Sequence, residues 1–474
     1  MLTINDLPDD DLLSIFDFYV IRYQYLDFRE VRDYKIKRRV ESWQLLVHVC
    51  RRWRYLAFGS PGSLNLQLYC TIRTPARKLE VWPALPLVIQ GNLSKMSVGN
   101  VFAVLKHSDR VRQIDLECDR PTSYNIEKLL MAMQVPFPKL ALLRLSPSGP
   151  LSGFLPDSFL GGSAPRLRYL WLANIPFPGL PNLLLSATHL IQLHLHDITH
   201  PGYISPDDMA TCLSMLIRLE KLHIGFPSSQ SYPNLKSRRP PPPARSVIPT
   251  LRTFWFNGVN EYLEELLARI DAPRLYRLRT TFFNGIVFIT PELNRFISRT
   301  PTLGAYNEAR LTFDSRETRV SLRQSRPEPS SPKMVELRIL GQEPDRQLST
   351  LAKICTSSLR LLLTMENLYI YGNQYVPRGD NENTAWSELL LPFTAVKNLY
   401  LSKLFSPPIA YALQELTGGR TTEVLPALQN VFLEGFQSSK PVQRDIARFI
   451  SAQQLSNHPV AISVWDRSFV GGNP

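Results

Sequence analysis

A six-residue motif, apolar, two variable, apolar, one variable, apolar, returns twelve times along this chain. It reads VRQIDL (from Val111), LALLRL (Leu140), LRYLWL (Leu167), LIQLHL (Leu190), LEKLHI (Leu219) and LRTFWF (Leu251). It continues as LYRLRT (Leu275), YNEARL (Tyr306), MVELRI (Met334), MENLYI (Met365), VKNLYL (Val396) and LQNVFL (Leu428). Successive starts lie 23 to 32 residues apart by subtraction of those positions. In a strand, successive side chains alternate between faces, so the last two apolar residues of each motif share one face. The residue between them and the one just before them share the other.

A single repeat cannot bury its apolar face alone, so neighbours must stack. One period held across most of the chain is the signature of a leucine-rich-repeat solenoid. A doubly wound α/β sheet would not keep the motif in phase twelve times. Connecting segments such as ISPDDMATCLSML, EYLEELLARI, DRQLSTLAKI and AYALQELTGG carry helical spacing and are expected to cover the outer side. Ser205-Pro206-Asp207-Asp208 is a helix start, with a capping hydroxyl, Pro in the first turn and acids near the positive end of the dipole. The expected fold class is therefore α/β, parallel strands on the concave face and helices outside, over residues 105–474. Two inserts, SRRPPPPARS and RPEPSSPK, break the rhythm and place exposed loops at about 227–246 and 323–333.

Composition bounds the rest. Hydrophobic residues make up 44% of 474, enough to bury a core, and 39 prolines favour frequent turns over long helices. Cys50, Cys70, Cys118, Cys212 and Cys355 are scattered and never form CxxC, which predicts reduced thiols and a cytoplasmic or nuclear setting. The start MLTINDLPDDD lacks a basic segment followed by an apolar one, so no signal peptide is expected. No apolar run reaches the ~18 residues of a spanning helix, and no membrane partner is expected. The net charge of +13 is dispersed, apart from Lys35-Ile36-Lys37-Arg38-Arg39 and Lys236-Ser237-Arg238-Arg239. Without an RNP motif, a Cys/His finger or a basic region with heptads, nucleic acid is the weakest of the partners considered.

Ahead of the repeats, LPDDDLLSIFDFYV spaces Leu12, Ile15, Phe16 and Tyr19 as one helical stripe. WQLLVHVCRRWRYLA spaces Leu46, Val49, Cys50, Trp53 and Ala57 as the apolar face of one further helix. Such helices could seal the end of the array or, being too few to bury much core, meet a partner. Leu7-Pro8, Ile15 and the run Val49-Cys50-Arg51-Arg52-Trp53 followed by Leu56-Ala57 resemble the F-box, and HVCRRWRYLAFGSPGSLNLQLYC with VWPALPLVIQGN resembles the opening of F-box proteins common in mushroom-forming fungi. A charged connection, RYQYLDFREVRDYKIKRRVE, replaces the short turn of a typical F-box. The resemblance implies a helical module over residues 1–60 with an insert at about 20–42, then a transition and N-terminal cap over 61–104. It implies docking on the Skp adaptor, and through it on cullin, by Leu7, Pro8, Ile15, Leu45, Leu46, Val49, Cys50 and Trp53. The chain would then be a non-catalytic substrate-recognition subunit of an SCF-type ubiquitin ligase. A repeat scaffold without ligase function is the alternative, and a nucleic-acid-binding solenoid the third.

No P-loop, GxGxxG, GxSxG or HExxH occurs, and no catalytic residue or cofactor is expected. His194 and His196 lie two apart on a strand with Asp197 adjacent, the spacing of a metal pair. The repeat places both outward, and the reading adopted is a solvated face with no metal site. The outward positions of the motifs place Tyr169, Trp171, Trp255, Arg277, Arg279, Arg310, Arg338, Tyr369 and Tyr400 on the face expected to bind a protein substrate. Its arginine centre would suit an acidic or phosphorylated segment, because guanidinium pairs carboxylate or phosphate bidentately. The same side chains could instead form a structural ladder or lie under the terminal tail.

Overall fold

Each of the twelve motifs is a strand in the computed structural model. The structure describes residues 4–19, 43–61, 64, 66–70, 79, 83–93, 98–118, 124–149, 151, 153–228, 244–283, 290–304, 306–324, 333–340, 344–358, 360–372, 382–415, 423–434, 451 and 460–465. The charged insert at 20–42 and most of both expected loops (229–243 and 325–332) lie outside the described residues. The chain divides into two compact units, Met1–Leu190 and Ile191–Pro474.

The first unit opens with α1 (Asp9–Tyr19), α2 (Trp43–Val49) and α3 (Arg51–Gly59). The single helix expected over 43–57 is two helices. Cys50 is extended (φ −154°, ψ 173°), and its Sγ accepts the amide of Trp53, capping α3. A thiol in the N-cap position satisfies one of the orphan donors that any helix start leaves. Apolar periodicity ran through the break because both helices face the same small core. That core holds Leu12, Phe16, Trp43, Leu46, Val47, Leu56 and Ala57, with the rings of Phe16 and Trp53 4.8 Å apart. Trp43 Nε1 donates to the Gln67 carbonyl at 3.1 Å. Arg52 ties α3 to the start of α1, donating to Asp9 Oδ1 at 2.5 Å and to the Leu7 carbonyl at 2.6 Å.

Strands β1 (Leu68–Cys70), β2 (Leu87–Asn92), β3 (Val111–Cys118), β4 (Leu142–Pro147) and β5 (Tyr169–Ala173) follow, neighbouring one another in that order and pairing in parallel from β1 to β5. Helices α4 (Val98–Leu105), α5 (Tyr124–Ala132) and α6 (Leu180–Ser186) connect or follow them. The parallel row therefore begins at Leu68, inside the stretch expected to be a transition and cap. Neither LYC nor LVIQGN carries the full motif.

In the second unit β6 (Gln192–His196), α7 (Pro206–Met215), β7 (Lys221–Gly225), β8 (Ser246–Val247), β9 (Thr253–Gly258), α8 (Asn260–Leu267), β10 (Ile270–Asp271), β11 (Arg277–Phe283) and α9 (Pro291–Arg299) come first. Then come β12 (Glu308–Phe313), β13 (Glu317–Arg323), β14 (Met334–Leu340), α10 (Pro344–Ser358), β15 (Asn367–Gly372), α11 (Glu382–Leu390), β16 (Asn398–Leu401), α12 (Ser406–Glu415), β17 (Asn430–Glu434) and β18 (Ala461–Trp465). The main sheet runs β6-β7-β9-β11-β14-β13-β12-β15-β16-β17-β18, and β8 pairs β10 separately. The four helical segments anticipated from spacing are α7, α8, α10 and α12. Ser205 Oγ accepts the Asp208 amide at 3.1 Å, the cap the sequence implied for α7.

Among the described strands of the second unit the expected parallel row is interrupted at β13. Strand β13 runs antiparallel between β12 and β14, so β11 meets β14 and β12 meets β15. The cause is local. Asp314 Oδ1 accepts the Ser315 amide and the Asp314 amide donates to the Glu317 carbonyl, closing a tight turn that returns the chain along β12. ETRVSLR then alternates with period two, burying Thr318, Val320 and Leu322. YNEARL and MVELRI are thus the outer strands of one meander rather than two successive repeats. As a result MVELRI pairs two residues out of motif phase, with Glu336 opposite Arg279 and Arg338 opposite Thr281. Strand β18, parallel to β17, was not anticipated either.

The inward residues of these strands, such as Leu193, Leu222, Phe254, Leu278, Leu311 and Leu399, are buried. Helix residues Met209, Leu213, Leu263, Phe296, Trp386 and Ile409 are buried with them, which is the apolar layer stacking was expected to create. Aromatic clusters fill it, with Phe226 and Tyr262 at 5.0 Å and Phe313 with Phe405 at 5.2 Å. Among the described residues no helix is long and apolar enough to cross a membrane.

Candidate functional site

Parallel register carries the outward residues of successive strands into columns. In the second unit Asn367, Asn398 and Asn430 form one column and Tyr369, Tyr400 and Phe432 the next. The amides form a ladder: Asn398 Nδ2 donates to Asn367 Oδ1 at 2.9 Å, and Asn430 Nδ2 to Asn398 Oδ1 at 2.8 Å. The rings stack nearly parallel, at 4.1 Å for Tyr369 on Tyr400 and 4.4 Å for Tyr400 on Phe432. Trp465 of β18 meets Tyr400 and Tyr369 edge-on at 5.7 and 5.9 Å. Burial pushes the Tyr369 hydroxyl above its usual range, and nearby Glu308 adds to the effect. A structural ladder partly covered by the C-terminal strand, the bland reading of these tyrosines, is what the geometry contains. Tyr369 and Tyr400 do share a face, as the spacing required.

The arginines gather as anticipated, but the meander adds Arg319 and Arg323 to Arg277, Arg279, Arg310 and Arg338. It also brings in three glutamates. Glu336, whose side chain is 1% exposed, pairs with Arg338, with Arg279 at 3.3 Å and with Arg319 at 3.7 Å. Glu317 pairs with Arg319 at 2.5 Å and with Arg338 at 3.8 Å, and Glu308 pairs with Arg310. Four of the six guanidiniums, those of Arg279, Arg310, Arg319 and Arg338, thus pair with three carboxylates, and positive charge outnumbers negative in the cluster. Burial lowers the pKa of Arg279, opposed by Glu336, and burial with nearby Arg310 lowers that of Arg323. Arg279 also lies over the Trp255 ring at 5.3 Å, and Arg310 over Tyr369 at 5.3 Å.

In the first unit Trp171 is half-buried with Arg144 over its ring at 5.2 Å, and Arg144 pairs with Glu117 at 2.8 Å and Asp115 at 3.5 Å. Tyr169 is only 5% exposed, so it is a core residue rather than a surface anchor. Its register neighbour Leu142 is buried too.

The N-terminal helices divide the adaptor-facing set. Pro8, Ile15, Leu45 and Val49 are exposed, and Leu7, Cys50 and Trp53 are half-buried. Leu46 is buried in the core of the module, which removes it from any contact surface, and Cys50 acts as a helix cap. Phe18, Tyr19 and Tyr55 are exposed apolar neighbours that the motif did not single out, with Phe18 93% exposed. An open hollow of about 460 Å³ is lined by Arg51, Arg54, Tyr55, Phe58 and Gly59 of α3.

The histidines give a different result from the one expected. His194 and His196 on β6 are joined by His223 of β7, because His194 and His223 are register partners. One ligand atom from each of the three lies within 4.8 Å of the others. The signal was available in the motif columns, where Gln192/His194 aligns with Lys221/His223.

These arrangements define the molecule as a mixed α/β repeat protein, with motif strands in register and the intervening helices packed behind them. No protein-family model matches the chain, and no curated protein does. Among solved structures, the leucine-rich repeat-containing protein LegL7 from Legionella pneumophila matches at 14% identity, over 81% of this chain and 97% of that one, with a TM-score of 0.28.

Proposed function

We propose that this chain is the substrate-recognition subunit of an SCF-type ubiquitin ligase. Its N-terminal helices would dock on the Skp adaptor, and the outward face of its strands would hold a protein substrate. The observation that carries the reading is the set of apolar side chains left at the surface of a three-helix module, Ile15, Phe18, Leu45, Val49 and Tyr55. The module already has its own core, so this excess is available to a partner. Such a subunit performs no chemistry and needs no cofactor. It raises the effective concentration of substrate beside the ubiquitin-conjugating enzyme.

The substrate face is one on which a partner must compete with Glu308, Glu317 and Glu336 for the arginines. That favours a polyanionic segment over a single carboxylate, since several charges must be displaced together. The test is co-purification of the full chain with recombinant Skp adaptor. Leu45→Asp plus Val49→Asp should abolish capture while leaving the thermal melt unchanged, because both residues are exposed. Undiminished capture, or no capture by the parent chain, refutes the ligase role. A repeat-based interaction scaffold then remains, for which the same strand face is the binding surface.

A further inference from the structure

We propose that His194, His196 and His223 form a binding site for one divalent transition-metal ion, with Zn²⁺ as the best fit. His194 and His196 are separated by one residue on β6, so both project from the same face. His223 stands opposite His194 on β7. Adjacent strands hold their backbones ~4.8 Å apart, and residues i and i+2 of a strand lie ~6.7 Å apart. Three imidazoles on that lattice can converge on one point. The rings already do so, with His196 and His223 centroids 3.8 Å apart at 68° and His194 6.1 Å from each. Zn–N bonds of about 2.0–2.1 Å place ligand nitrogens ~3.3 Å apart in a tetrahedron. Small rotations about the side-chain torsions bridge the remaining distance, while the paired strands keep the backbones fixed.

Three neutral imidazoles and no thiolate make a borderline donor set that selects Zn²⁺, Cu²⁺ or Ni²⁺ over Mg²⁺ and Ca²⁺. Three protein ligands leave a fourth position for water or for a group from a bound partner. The surroundings restrict ring motion. His194 is 8% exposed, and the Trp255 ring meets His223 edge-on at 5.6 Å from the β9 side. Gly225 adds room beside the rings, since a Cβ there would already touch His223 Nε2 at 3.5 Å. The site belongs to the second unit alone and is independent of adaptor docking.

The experiment uses the full chain stripped with a chelator and titrated with Co²⁺, then Zn²⁺. One equivalent of Co²⁺ should produce the intense visible d–d bands of a low-coordinate site, and Zn²⁺ should displace it stoichiometrically with micromolar or tighter affinity. Zn²⁺ should also raise the melting temperature, by an amount that grows with the logarithm of free Zn²⁺ above its Kd. His194→Ala and His223→Ala should each weaken binding by about a hundredfold or more, as losing a ligand must exceed the 10–100-fold cost of losing a ligand's supporting partner. His200→Ala, an exposed histidine outside the cluster, should bind like the parent. Absence of a stoichiometric Co²⁺ spectrum in the parent overturns the proposal whether or not the variants fold. So does binding that survives His194→Ala and His223→Ala, or that is lost equally in His200→Ala.

Discussion

Replacing Glu336 by Gln isolates the charge at the centre of the arginine cluster, because the two side chains have nearly the same volume and no cavity is left. The carboxylate is 1% exposed and touches Arg338, Arg279 and Arg319. At an effective dielectric of about 20, each close opposite-charge pair is worth up to roughly 4 kcal/mol before desolvation is subtracted. Removing one member of a buried ion pair costs about 3–5 kcal/mol when the other charge stays buried. Here the guanidiniums keep 22–25% of their surface in water, and Glu317 still holds Arg319 and Arg338. Both effects reduce the penalty, to about 2–3 kcal/mol. A domain of this size shifts by roughly 2–3 °C per kcal/mol, so the melting temperature should fall by about 4–9 °C. Circular dichroism of the full chain measures it. Sulfate or phosphate should restore more stability to Glu336→Gln than to the parent, as the vacated guanidiniums accept the anion. An unchanged or raised melting temperature would show that the arginines are solvated well enough to do without the carboxylate, and the account of this face would fail.

The remaining predictions concern separate parts of the molecule. Phe16→Ala should destabilise the N-terminal helices by about 3–5 kcal/mol, read as lost hydrogen-exchange protection in α1 and α3 with the second unit unaffected. Tyr400→Ala removes the middle ring between Tyr369 and Phe432. It should cost about 1–3 kcal/mol by urea denaturation, and a neutral result would mean the stack is incidental. Glu264, half-buried on α8, accepts the amides of Glu292 and Leu293 at the start of α9 at 2.8 and 3.0 Å, and desolvation outweighs those bonds to raise its pKa to about 7. With the folded value above the unfolded one, its contribution is complete below about pH 4.5 and is lost as pH rises through about 7. Glu264→Gln should therefore flatten the fall in melting temperature across that window, and parallel curves for the two proteins would refute the assignment. Ser205→Ala should cost about 1 kcal/mol by removing the cap on Asp208, measured in the same melts.

How much of this was legible in the residues follows from which forces are local. The LxxLxL spacing located twelve strands, since an alternating apolar pair must turn to a core wherever it lies. It also placed Tyr369 and Tyr400 on one face, because equal motif phase is register in a parallel sheet. Ser205 as a cap came from the same short-range rules, whereas the outward set Ile15, Leu45 and Val49 came from the resemblance to the F-box, since apolar spacing alone would have turned Ile15 and Val49 toward a core. The loss of Leu46 and Tyr169 to the interior came from neither, because their exposure depends on neighbours far away in the chain. Nor did the break at Cys50, where a thiol took a capping role that apolar periodicity cannot reveal.

The strand-and-helix rhythm and the outward residue types were thus determined by the sequence alone, through backbone geometry and the burial of apolar side chains. Tertiary structure decided which of those outward residues meet. A three-residue turn after Phe313 reversed one strand, set β14 two residues out of phase and surrounded Glu336 with arginines from three strands. Pairing of β6 with β7 likewise turned two spaced histidines into a group of three. The physical reason is the same in both cases: side-chain chemistry depends on distances of a few ångströms, and those are set by the register between strands, which separate motifs do not encode individually.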